Sequence, residues 1–92
     1  MNISIGMLER RVALINDMLG VSQEPYASER GESGRLIANA GTHYIDSSNG
    51  GYRLESMCKG GGARDVSPRL SKRALADWVN AYIDGIEIGR RT

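Results

Sequence analysis

Phenylalanine is absent, and four Tyr and one Trp are the only aromatic residues among 92. The core of so short a chain must therefore rest on Ile, Leu, Val and Met, and it buries a smaller share of its surface than a larger domain does. Cys58 is the single cysteine, which excludes an intrachain disulfide and fits a reducing compartment. One Cys and one His are too few for a structural zinc site, and the carboxylates lack calcium-loop spacing, so no metal or cofactor is expected. No apolar run approaches a bilayer span. Glu9, Arg10 and Arg11 stand where a signal peptide would need its apolar stretch, and the expected location is cytoplasmic, with no membrane partner. Internal repeats and low-complexity tracts are also missing.

Charge is nearly balanced, at +1 overall, but it is unevenly spread. Residues 1–46 hold four basic and six acidic residues, and residues 47–92 hold eight and five. Between 53 and 73, six basic residues (Arg53, Lys59, Arg64, Arg69, Lys72, Arg73) oppose only Glu55 and Asp65. Such an excess attracts phosphate or an acidic protein face, although it is weaker than the footprint of a dedicated DNA binder.

Hydrophobic periodicity marks two helices. Over 4–19, Ile5, Leu8, Val12, Ile15 and Leu19 recur at helical spacing, with Ser4 placed to cap the start and Gly20 to end it. Over 72–86, Leu75, Trp78, Val79, Tyr82, Ile83 and Ile86 fill one face. Ser71 is the cap, Leu70 and Leu75 form a hydrophobic staple, and Gly85 and Gly89 mark where the helix weakens. Between the helices, 42–58 reads as a β-hairpin around Asn49-Gly50. In that register Ile45 faces Leu54, Asp46 faces Arg53 and His43 faces Ser56, which matches apolar with apolar and acid with base. His43, Ile45, Leu54 and Tyr52 then face inward, and Tyr44, Asp46, Arg53, Glu55 and Met57 outward. Residues 21–34 and the glycine-rich 59–70 read as loops, and 35–40 as either a short edge strand or a helical turn. The chain is expected to be one α+β domain, α-β-β-α or α-β-β-β-α, with two helices on one face of a small antiparallel sheet.

Candidate chemistry is sparse. His43 opposite Ser56 has the beginnings of a nucleophile–base pair, but neither an orienting third group nor an oxyanion element accompanies it, and a satisfied strand histidine is the stronger reading. Gly60, Gly61 and Gly62 do not match a phosphate-cradling loop and read as a flexible connection. Trp78 and Tyr82 lie on the buried stripe and read as core. The candidate contact surface for a partner or phosphate is Arg53, Lys59, Gly60, Gly61, Gly62, Arg64, Arg69, Lys72 and Arg73. A second candidate is the acidic set Glu24, Glu29 and Glu32, suited to a basic groove.

From Gly50-Gly51-Tyr52 through the glycine loop to Ser71-Lys72-Arg73, Leu75, Trp78 and Gly85, the chain resembles small bacteriophage and prophage accessory proteins of mostly unassigned function. The likeness spans about half the chain, residues 44–88. It implies a phage or mobile-element origin more than an activity. The expected role is non-enzymatic, modulating a host or phage protein complex by contact, as anti-restriction and anti-CRISPR inhibitors do. Ser71-Lys72-Arg73-Ala74 is also similar to the helix-2 start of double-stranded RNA-binding domains, which are α-β-β-β-α. Direct nucleic-acid binding through the basic surface is therefore the alternative expectation. Leftover apolar helix surface leaves room for a homodimer.

Overall fold

Ser4 stops the first helix from starting earlier. Its backbone is extended (φ −94°, ψ 158°) and its hydroxyl accepts the Met7 N–H at 3.2 Å, satisfying one of the orphan donors of a helix start. Helix α1 then runs Ile5–Leu19 in a computed structural model that describes residues 3–27, 31, 34–48 and 50–91. Gly20 ends α1 in the left-handed region (φ 70°), a conformation that side chains resist. Its N–H and that of Val21 reach back to the Asp17 and Asn16 carbonyls, the paired bonds of a Schellman ending.

Three strands follow, β1 (His43–Asp46), β2 (Arg53–Met57) and β3 (Ala63–Asp65), before helix α2 (Lys72–Arg91). They form an antiparallel meander in the order β1-β2-β3. The β1–β2 register is the expected one, with His43 opposite Ser56, Ile45 opposite Leu54 and Asp46 opposite Arg53. Asn49 of the expected turn lies outside the described residues. The molecule is a two-layer α+β domain with both helices on one face. α1 packs over β1, α2 over β2, and each helix against the other. Leu8, Val12 and Ile15 of α1, Leu54 of β2, and Leu75, Val79 and Ile83 of α2 form the core between the layers. Ser71 caps α2 by accepting the Ala74 N–H at 3.2 Å, and Leu70 packs against the core beside it.

Four sequence-based expectations shift. The third strand is not 35–40 but 63–65, inside the expected glycine-rich loop. Cys58 and Gly62 close a three-residue turn (Cys58 N–H to Gly62 carbonyl, 2.7 Å) with Gly61 left-handed at φ 96°, a common three-residue hairpin connection. Residues 35–40 instead pair back on the preceding loop, through Tyr26 opposite Ala38 and Ala27 N–H to the Ile37 carbonyl, leaving Leu36 and Ile37 exposed. α2 continues five residues past 86, because isolated glycines weaken a helix by only about 1 kcal/mol each. Arg90 and Arg91 in its last turn suit the dipole, and Arg91 pairs with Glu87 one turn earlier. Finally, Glu55 and Met57, expected to face solvent, are buried. The Tyr26 hydroxyl reaches the Gly61 carbonyl at 3.5 Å, so Tyr26 lies beside the β2–β3 turn.

The hairpin tip is tied to the start of α2. Leu70 and Tyr52 exchange both backbone hydrogen bonds, at 2.7 and 2.8 Å. Arg69 donates to the Ser48 and Gly51 carbonyls and pairs with Asp46 at 2.6 Å. Gly51 is where this clamp passes closest, since a Cβ there would lie 2.7 Å from Arg69 Cγ and 3.3 Å from the Leu70 carbonyl oxygen. Gly51→Ala should therefore destabilise the fold by about 1–3 kcal/mol. Gly60→Ala, with open space around it, should cost a fraction of that, as read from urea unfolding of the two variants.

Candidate functional site

Asn16 is a polar residue on the apolar side of α1, only 1% exposed. Its Nδ2 donates to the His43 carbonyl at 3.0 Å and its Oδ1 accepts the His43 N–H at 2.8 Å. The carboxamide thus takes the place of a neighbouring strand at one residue of β1. Gln23 backs it, accepting from Asn16 Nδ2 at 3.2 Å while donating to the Ala13 carbonyl and the Asp17 carboxylate, both at 3.0 Å. Because backbone direction alternates along a strand, Ile45 points its N–H and C=O to the same side as His43, away from β2. No described group answers Ile45 there. Between this open edge and α1 runs a groove of about 350 Å³, with Ile5, Val12, Ala13 and Ile45 as apolar lining and Glu9 at its rim.

His43 adjoins the groove but is fully engaged. Its Nδ1 lies 2.8 Å from the Gly41 carbonyl, which can only accept, so Nδ1 carries the proton. Nε2 then accepts from the Tyr82 hydroxyl at 3.0 Å. Burial holds the imidazole below its ordinary pKa, and nearby Arg64 pushes the same way against the Gly41 hydrogen bond. Ser56 stands opposite His43 in the register, yet the imidazole bonds to Gly41 and Tyr82 rather than to its hydroxyl. Trp78 stacks on Tyr82 at 5.3 Å, and both are partly buried against the core.

The outer face carries a second polar cluster. Glu55, 7% exposed, accepts the Tyr44 hydroxyl at 3.0 Å and Arg53 at 2.7 Å. Arg53 also reaches Asp65 at 3.3 Å, bridging two carboxylates that the β2–β3 register sets opposite each other. Burial and the hydrogen bond to Glu55 push the Tyr44 phenol up to about 12. Arg69 and Ser48 hold the Asp46 carboxyl below its ordinary range.

The basic residues picked out from sequence are therefore not one surface. Arg53 and Arg69 are held in internal ion pairs. Lys72 and Arg73 start α2 at the hairpin-tip end. Lys59 and Gly60–Gly62 turn at the opposite end of β2, about 20 Å away along the strand. Arg64 is exposed on the helix side of β3, which no helix covers. Lys59, Arg64, Lys72 and Arg73 have no ion-pair partner among the described residues. Glu24 is exposed, and Glu29 and Glu32 lie outside the described residues. Cys58 is exposed at the strand end. Among the described residues no three His, Cys, Asp or Glu side chains gather to hold a metal, and no helix is long and apolar enough to cross a membrane.

Sequence reasoning passed over the groove itself. One signal was present: Asn16 lies four residues after Val12 and eight after Leu8, a polar side chain at a core position of α1. Compared with protein-family models, with curated proteins and with solved structures, the chain matches none.

The buried neutral imidazole makes stability pH-dependent. Its folded-state pKa lies below 6.5, so the unfolded chain takes up the proton more readily. This contribution is complete above pH 6.5 and is lost as pH falls below it, at no more than about 1.4 kcal/mol per pH unit. Urea unfolding at pH 7.5, 6.5 and 5.5 should show that decline, and equal stability at all three would contradict it.

Proposed function

We propose that this is a small non-enzymatic protein that works by contact with another protein, using the open edge of β1. The observation that carries the reading is that edge. Ile45 presents an N–H and C=O that no described group answers, beside a groove of mixed apolar and polar lining, and a buried side chain already answers the same edge one pairing position away. Exposed sheet edges recruit another chain unless they are covered. The engagement of both His43 nitrogens supports contact over catalysis, because it leaves the imidazole no free nitrogen to act as a base. In its sharpest form the protein is a phage or mobile-element accessory factor that inhibits a host nucleoprotein machine by covering one of its surfaces.

Direct nucleic-acid binding is the second reading. It is favoured by Lys72 and Arg73, which the Tyr52–Leu70 pairing sets beside the hairpin tip. Phosphate contacts there would weaken with rising salt.

A photo-crosslinking residue placed at Ser47, on the groove, or at Arg73, at the start of α2, separates the two in bacterial lysate. Protein adducts from position 47 that survive nuclease treatment are the expected result. Adducts only from position 73, destroyed by nuclease and lost on raising the salt, would replace the first reading with the second.

A further inference from the structure

We propose that the groove between α1 and β1 takes an extended peptide as a fourth strand, and that it selects an apolar residue and a lysine or arginine two positions apart. This rests on the protein-contact reading above and names the occupant's chemistry.

The backbone sets the first requirement. The outward N–H and C=O of Ile45 are spaced to pair with one residue of an added strand. His43 is closed to such pairing by Asn16, so the added strand pairs along the stretch from Ile45 to Ser47, whichever way its chain runs.

The wall sets the second. α1 runs antiparallel to β1, since Asn16 lies at His43 while Ile5 and Ser47 share the other end of the groove. At 1.5 Å per helical residue, Val12 and Ala13 stand about 5 Å along from Asn16 and Glu9 about 10 Å. That separation is close to two strand residues, and alternate side chains of an added strand point to the same face. One inward side chain therefore meets Val12 and Ala13, and the next meets Glu9.

Charge sets the third. His43 is neutral and the Tyr44 phenol is pushed up to about 12, so among the described residues Glu9 is the one charged side chain on the groove. It has no ion-pair partner among the described residues. Arg10 and Arg11 lie along another side of α1, with Met7 and Leu14. A second copy of β1 would complete the backbone pairing equally well, but it would bring two Glu9 carboxylates to one seam. A basic peptide is the better complement.

The test is selection of displayed random nine-residue peptides on the full chain and, in parallel, on Glu9→Lys. Recovered peptides are then resynthesised and their binding mapped by amide chemical shifts. Wild type should enrich peptides with an apolar and a basic residue two positions apart that shift the Ile45 and Ser47 amides, and Glu9→Lys should weaken the same peptides about tenfold or more. Glu9 is exposed, so the variant should fold, and Glu9→Gln should give an intermediate loss. The inference is overturned by no enrichment above the bare support, by shifts confined to other elements, or by undiminished binding to Glu9→Lys. A dimer in solution whose Ile45 amide is protected without peptide would overturn it in favour of a second copy. A protein crosslinked at Ser47 alongside an empty peptide selection would leave protein contact standing and remove only this inference.

Discussion

The carboxamide of Asn16 against the backbone of His43 is the joint on which the arrangement depends. α1 and β1 are far apart in sequence, and their apolar surfaces alone would allow the helix to slide along the strand. A side chain that must donate to one carbonyl and accept from one N–H of a single residue fixes both the height and the rotation of the helix. The pair is buried, so removing it would leave two backbone groups without partners, at about 1–3 kcal/mol each. With α1 held at that height, Leu8, Val12 and Ile15 meet Leu54 and the stripe of α2. The next outward residue of β1 then faces a wall of α1 rather than open solvent.

A second tie works at the other end of the sheet. Arg69 holds the hairpin tip through two carbonyls and Asp46, while Leu70 pairs with Tyr52 and Ser71 starts α2 directly afterwards. The strand register, the turn and the helix start are thus fixed by three successive residues. This organisation uses charges that a count of basic residues would assign to the surface. Arg53 and Arg69 neutralise Glu55, Asp65 and Asp46, and the remaining cations are divided between two ends of the sheet. A local excess of charge in sequence is therefore a poor guide to a patch in space when the segment folds as a meander.

What was legible in the sequence was local. Ser4, Gly20 and Ser71 mark helix ends by chemistry that acts within four residues, and the hairpin register followed from matching Ile45 with Leu54 and Asp46 with Arg53. What was hidden depended on distant segments. Ala63-Arg64-Asp65 has neither β-branched nor aromatic residues, and all three are exposed. It is a strand only because the turn at Lys59–Gly61 returns it alongside β2. Glu55 is buried where Tyr44 and Arg53 bond its carboxylate, a pairing that no periodicity announces. The groove was half visible: Asn16 stood out as a polar residue in an apolar stripe, but its partner 27 residues away could not be read from spacing.

The functional account stands on one contrast within a single strand: His43 is closed by Asn16 and Ile45 is open. Amide hydrogen exchange of the free protein tests it most directly. The account predicts slow exchange at His43 and at Tyr44, which faces β2, and fast exchange at Ile45 between them. Protection of Ile45 equal to that of its neighbours in a monomeric sample would mean the edge is already covered, and would contradict the account.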